Sequence, residues 1–318
     1  MSDRIDVHNH IIPPRYRARL DELGLTAGGL PSPDWSEDLA LAAMDRHQIA
    51  TAIVSVSTPG VHFGDDMRAR HLAREVNEFA AELTERHPGR FGFFATLTLP
   101  DVEGSIAEAA YALDELGADG VILLANIGGT YLGDPAFEPL LTELDRRGTT
   151  VFVHPSKLPG PSAEGIPPYI ADFLLDTTRT AVSLVRSGAL GRHPNLDFIL
   201  SHGGGFVPFA AYRLAMTSTF DADRTVDEFL GDFRRFHVDI AQASSPTALP
   251  TVLEFFGSDH VLFGSDWPHA SDKGVAYFRT LYDELGLDSA LRAGIDHKNA
   301  SRLLRRNATT AHPATALS

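Results

Sequence analysis

Two hydrophobic periods alternate along the chain. Short β-branched and aromatic runs, "RIDVHNH", "TAIVSVST", "FGFFATLTL", "DGVILLAN", "TVFVHPS", "LDFILSHGG", "FHVDIAQ" and "HVLFGSDWPH", each stop at a polar or turn-forming cluster and read as eight strands. The stretches between them carry apolar residues at helical spacing: 37–47, 67–87, 102–116, 135–147, 171–187 and the segment "DKGVAYFRTLYDELG". In "GDPAFEPLL", Asp134 stands as a cap and Pro135 at the first helical position, which encodes a helix start. Eight strands alternating with helices, each crossover right-handed, close most simply into an α/β fold, the (β/α)8 TIM barrel. A doubly wound sheet in two lobes is the competing architecture. No repeat or linker interrupts the pattern, so residues 1–306 read as a single barrel domain and 307–318, low in apolar content, as a frayed tail. Residues 11–35 and 157–169 read as long structureless connections from strand to helix. In a barrel such connections lie on the C-terminal face, where active sites are built.

Composition narrows the function classes. With 318 residues, 43% hydrophobic and 22% charged, the chain can bury a large core. A formal net charge of -15 argues against sequence-independent nucleic-acid binding. The absence of cysteine excludes disulfides, thiolate ligands and a cysteine nucleophile. No apolar run approaches the length of about 18 residues that a membrane span needs, and the N-terminus lacks a basic region followed by an apolar one. The expectation is a cytoplasmic enzyme with no membrane or nucleic-acid partner.

Candidate chemistry sits where the strands stop. In "IDVHNH", strand alternation puts Asp6, His8 and His10 on one face and Ile5, Val7 and Asn9 on the other. Two imidazoles about 7 Å apart on one face can reach one ion. The fifth, sixth and eighth strands end at His154, His202 and Asp266. A barrel gathers these ends around one axis, so the set predicts a metal site. Three imidazoles and a carboxylate suit one divalent transition metal, zinc before manganese, iron or cobalt, and disfavour an all-oxygen magnesium or calcium cage. No lysine ends the fourth strand, so a carbamylated lysine bridging two metals has no source there. Asp6 is expected to orient an imidazole rather than to ligate. "SHGGGF" places three glycines beside His202, a candidate acid/base, and these read as backbone approaching a substrate. His47, His71, His87, His193 and His297 fall in helical settings and are expected to be solvated. Phe63, Tyr131, Phe206 and Trp267 follow strands and offer aromatic walls for a substrate.

These residues, in this order, resemble the metal-dependent decarboxylase branch of the amidohydrolase superfamily, the aminocarboxymuconate-semialdehyde decarboxylase-like enzymes. The resemblance is carried by "DVHNHIIPPRY", "HQIATAIVSVSTPGV", "NEFAAELTERHPGRFGFFATLTLPD", "VFVHPS", "LSHGGGFVPFAAYR" and "LFGSDWPH". It implies His8, His10, His154 and Asp266 as metal ligands and His202 as the nearby acid/base. It also implies Arg213 as a substrate-carboxylate ligand reaching a neighbouring subunit, and therefore a homodimer. One departure bears on substrate. Ala40 stands where the semialdehyde decarboxylases carry a second carboxylate-binding arginine, and such charge-assisted hydrogen bonds contribute about 1.5–3 kcal/mol each. The segment "LLDTTRTAVSL" is closer to the salicylate and 6-methylsalicylate decarboxylases of the branch. The expected reaction is non-oxidative decarboxylation of an ortho-hydroxybenzoate, a small aromatic carboxylate, with Asp266 as first choice of acid and His202 holding substrate or sharing the proton. The alternative is hydrolysis of an amide, lactone or C–C bond by a metal-bound hydroxide, which the same residues would serve.

Overall fold

The computed structural model describes residues 3–161 and 163–304; the expected tail at 307–318 lies outside the described residues. Eight strands, β1 (Ile5–His10), β2 (Thr51–Ser55), β3 (Phe91–Thr96), β4 (Gly120–Leu124), β5 (Thr150–His154), β6 (Asp197–Leu200), β7 (His237–Asp239) and β8 (Val261–Leu262), form one sheet in chain order. Every paired neighbour is parallel. The first and last strands then meet: Val7 N donates to Phe263 O at 3.0 Å, His10 N to Trp267 O at 2.8 Å, and Asp266 N to His8 O at 2.7 Å. The sheet is therefore the near-closed barrel that the alternating periods predict, with helices outside.

Strand alternation divides the core in two. Ala52, Val54, Phe93, Ala95, Val121, Leu123, Val151 and Val153 face outward and pack under the helices. Val7, Ile53, Phe94, Ile122, Phe152, Ile199 and Leu262 face inward as one layer across the barrel, with Ala300 and Leu304 packed against it. That layer is the floor of the site. One step of two residues above Phe152, the same face of β5 presents His154.

β1 departs from the expected alternation. Its pairing with β2 shifts register between Asp6 and Asn9, a β-bulge. Val7 lies in the inner floor and the His8 ring stands 4.9 Å from that of Phe152, while Asn9 Nδ2 donates to Asp6 Oδ2 at 3.0 Å. The bulge is what lets Val7 below, and His8 and His10 above, all face the barrel axis. Residues 11–35 are not structureless: Pro14–Leu23 is a helix, led in by Pro13 and closed by left-handed Gly24. The histidines expected to be solvated divide. His71 is exposed, but His47 and His193 are buried, with Nε2 3.1 Å from Asp272 and 3.0 Å from Glu138 respectively. Each packs inward with a carboxylate on another helix as partner for its Nε2.

Candidate metal centre

At the C-terminal mouth of the barrel, one ligand atom each from His8, His10, His154 and Asp266 lie within 4.8 Å of one another, all four residues buried. The arrangement is set by what holds the far side of each ring. His8 Nδ1 donates to Asp239 Oδ2 at 2.9 Å, His10 Nδ1 to Ser55 O at 3.3 Å, and His154 Nδ1 to Pro155 O at 2.8 Å. His202 Nδ1 likewise donates to Ala241 O at 3.2 Å. These acceptors fix the tautomer, so each Nε2 carries a lone pair. Asp266 turns into the cluster from a left-handed backbone, φ 62°, and its Oδ2 accepts from Gln242 Nε2 at 2.8 Å. Its Oδ1 stands 3.3 Å from both His8 Nε2 and His10 Nε2. Those three atoms are buried without a hydrogen-bond partner. Three lone-pair donors sealed from solvent and aimed together are costly unless a cation joins them, and N and O donors of this kind fit a divalent transition metal.

Electrostatics point the same way. Burial pushes the His8 imidazole down, but the Asp239 and Asp266 carboxylates on either side hold it up at about 10. Burial lowers His10, and burial with the facing His10 and His8 rings holds His154 well below the usual histidine range. Burial pushes Asp266 up, yet the adjacent His8 and His10 hold it well below the carboxylate range. His202 is lowered by burial and by His8. His10, His154 and His202 thus favour their uncharged forms around an ionised Asp266, while His8, between two carboxylates, favours its charged form and holds a proton that a bound cation would displace.

Two glycine positions make this packing possible. A Cβ at Gly264 would come within 2.9 Å of His8 Cβ and 3.0 Å of Asp239 Cβ, so only glycine lets the segment after β8 pass behind that pair. A Cβ at Gly205, φ 64°, would meet Leu174 O at 2.3 Å. The glycines of "SHGGGF" therefore permit close approach of protein to protein, not of backbone to substrate as the sequence suggested.

The centre opens into a cavity of about 420 Å³. Its polar wall is Ser57, Thr58, His154, His202, Gln242, Asp266 and His269; its apolar wall comes from Tyr169, Ile170, Phe173, Leu174 and Phe278, with Ala27 and Leu30 from the loop after β1. Among the described residues no arginine or lysine lines it. His269 Nε2 lies 2.9 Å from Ser57 Oγ, and burial with the neighbouring His10 pushes its pKa to about 3.

The expected aromatic walls are not in that lining. Phe63 faces a separate cavity beside Arg15, Arg19 and Glu22. Tyr131 closes a small hairpin with Asn126, its hydroxyl 3.5 Å from Arg179. Phe206 precedes the helix Val207–Ser218, its N donating to Thr178 Oγ1 at 2.8 Å, and Trp267 is buried in the outer core. Arg213 is exposed on that helix, away from the cavity of its own chain. Asp6 orients no imidazole: it accepts from His8 N at 3.1 Å, Ser265 N at 3.0 Å and Ser265 Oγ at 2.5 Å, and so ties β1 to β8. Asp239 does the orienting. Asp239 ends β7 within "FHVDIAQ" and Gln242 ends that run, the same polar strand-end signal seen elsewhere in the chain, and His269 ends "GSDWPH".

A model of the amidohydrolase family matches residues 5–306. The chain belongs to the amidohydrolase family. This amidohydrolase is 39% identical over 287 residues to decarboxylase yanB of Aspergillus niger, covering 84% of this chain and 78% of that protein. It is 34% identical over 314 residues to the 6-methylsalicylic acid decarboxylase of Penicillium expansum, covering 95% of this chain and 96% of that one. The crystal structure of a dihydroxybenzoic acid decarboxylase from a Polaromonas species, with bound manganese and the inhibitor 2-nitroresorcinol, shares the fold. Its TM-score is 0.78 at 23% identity, over 95% of this chain and 97% of that one. Among the described residues no helix is long and apolar enough to cross a membrane.

Proposed function

We propose that this protein is a metal-dependent, non-oxidative decarboxylase of a salicylate-like acid, with His8, His10, His154 and Asp266 holding one divalent transition metal. The observation that carries the reading is the buried set of partnerless donors, His8 Nε2, His10 Nε2 and Asp266 Oδ1, at the base of a cavity whose own wall offers an anion no arginine or lysine. The donor set fits zinc best, and the manganese of the Polaromonas relative makes manganese the second candidate. When bound, the metal supplies a Lewis acid and a point at which a carboxylate and an ortho oxygen are held together. Decarboxylation is preferred to hydrolysis because yanB and the 6-methylsalicylic acid enzyme, both above 30% identity, carry that activity in their names.

The protein's own groups then have defined tasks. Ile170, Phe173, Leu174 and Phe278 take the ring face and exclude water. Asp266, ionised at rest, takes the proton of the ortho hydroxyl at Oδ2 and delivers it to the ring carbon that bears the carboxylate; the C–C bond breaks, its electrons restore aromaticity, and carbon dioxide leaves. His202, its Nδ1 tied to Ala241 O, offers Nε2 as the second proton carrier. The protein works as a cytoplasmic homodimer, joined through the helix Val207–Ser218, where Phe209 is 87% and nearby Phe220 74% exposed. Arg213 on the same helix then reaches the substrate carboxylate of the second copy. Steady-state rates on hydroxybenzoate isomers test the reading. An ortho hydroxyl should be required, because a para oxygen cannot share the metal with the carboxylate; equal kcat/KM for the two isomers would refute it.

A further inference from the structure

A cavity that receives a carboxylate and a hydroxyl needs hydrogen-bonding groups for both, and His202 accounts for one side, its Nε2 lone pair placed to accept from the hydroxyl. The His202 ring lies 4.9 Å from His8 and 6.1 Å from His154. His269 stands on the other side, its ring 5.1 Å from His10. It lines the cavity but is not one of the clustered donor residues. Its position is fixed twice. Ala270 N donates to Asp266 O at 2.7 Å, which folds the segment after β8 back over the centre, and Ser57, from the segment after β2, meets His269 Nε2 at 2.9 Å. Among the described residues the one other bond of the Ser57 hydroxyl is a long one, 3.5 Å, to Thr58 O. With that hydroxyl donating to Nε2, the ring hydrogen sits on Nδ1, which has no protein partner among the described residues.

We propose that His269, oriented by Ser57, is a second substrate-binding imidazole that donates a hydrogen bond from Nδ1 to an oxygen of the acid, on the His10 side of the centre. The inference rests on the decarboxylase reading. An acceptor, His202, and a donor, His269, flanking one centre match an ortho-hydroxybenzoate, whose hydroxyl donates and whose carboxylate accepts side by side on the ring. A hydrogen bond to a charged oxygen in a water-poor cavity contributes strongly to binding, and its loss is expected to weaken affinity about 10-fold to 100-fold.

The test uses metal-loaded protein and 2-nitrophenol, in which a nitro group that cannot leave as carbon dioxide replaces the carboxylate. Its Kd is measured by calorimetry, with metal content by mass spectrometry, for wild type, His269→Phe, His269→Gln and Ser57→Ala. His269→Phe should keep its metal and bind about 10-fold to 100-fold more weakly; Ser57→Ala should shift Kd less, and His269→Gln, which still offers an N–H, should recover part of the loss. Unchanged Kd in His269→Phe with metal retained would overturn the inference, as would affinity losses that follow metal loss across all three variants. If the wild type binds 2-nitrophenol and decarboxylates a salicylate while His269→Phe does both equally well, only this inference fails. If the wild type does neither, the decarboxylase reading fails and this inference falls with it.

Discussion

His8 shows how a single side chain is tuned by its far edge. Asp239 accepts from Nδ1 and is itself held by His202 N at 3.2 Å and Ala241 N at 2.8 Å, so the carboxylate cannot swing away. Asp239→Asn should therefore keep the fold but weaken metal binding about 10-fold to 100-fold in competition with a chelator, the scale for losing a group that orients a ligand; unchanged affinity would show that Asp239 only fills space. His8→Ala and His154→Ala should lose the metal outright, measured as metal per chain after purification. His202→Asn should retain it and lose about 10²-fold or more in kcat; metal loss in step with activity would make His202 a ligand. At this scale the sequence was legible where a polar residue stops an apolar run, as at His10, His154 and Asp266. It was less so at Asp239, because β7 is only His237–Asp239 and gives little alternation to read. The aromatic walls were not legible, because which loop side chain turns inward depends on the path of the loop.

Among the elements, the two long connections do the most to shape the cavity. The segment after β1 contributes Ala27 and Leu30, and the one after β5 contributes Tyr169 and Ile170. Gly28 packs so closely on Phe173, in the helix Asp172–Arg186, that a Cβ there would approach its ring to 2.3 Å, and a Cβ at Gly29 would meet Pro168 of the second connection at 3.7 Å, so the first connection leans on the second and on the helix it leads into. Their lengths were readable from sequence, and so was their side of the barrel. The bulge in β1 was not, since a register shift is decided by the neighbouring strand rather than by the run itself. The helix Val207–Ser218 carries its own prediction. On the proposed homodimer, wild type should sediment as a dimer and Phe209→Asp combined with Tyr212→Asp as a monomer, because both side chains are exposed in the single chain. A dimer that survives both changes would place the interface elsewhere.

The whole molecule separates a stabilising end from a reactive one. At the N-terminal end of β7, His237 stacks on His260 with ring centroids 4.3 Å apart and planes 10° from parallel. Burial and the adjacent His260 push His237 down to about 3. The unfolded chain protonates this residue near the ordinary value of about 6.5 while the fold resists until about 3, so stability is full above that upper value and falls as pH drops below it. Asp197, 3.9 Å away and raised by burial, acts in the opposite sense. His237→Phe should flatten the fall in Tm between about pH 6.5 and 4 relative to wild type; identical slopes would remove His237 from the account. At the other end, the buried donor cluster serves chemistry. The most direct test of that chemistry is turnover of a 6-alkylsalicylate in deuterated water, followed by NMR. The account predicts carbon dioxide release with one deuterium appearing on the ring carbon that carried the carboxylate, and no reaction once the metal is stripped. An intact carboxylate with no deuterium at that carbon, together with cleavage of an ester, amide or lactone by the same protein, would contradict it.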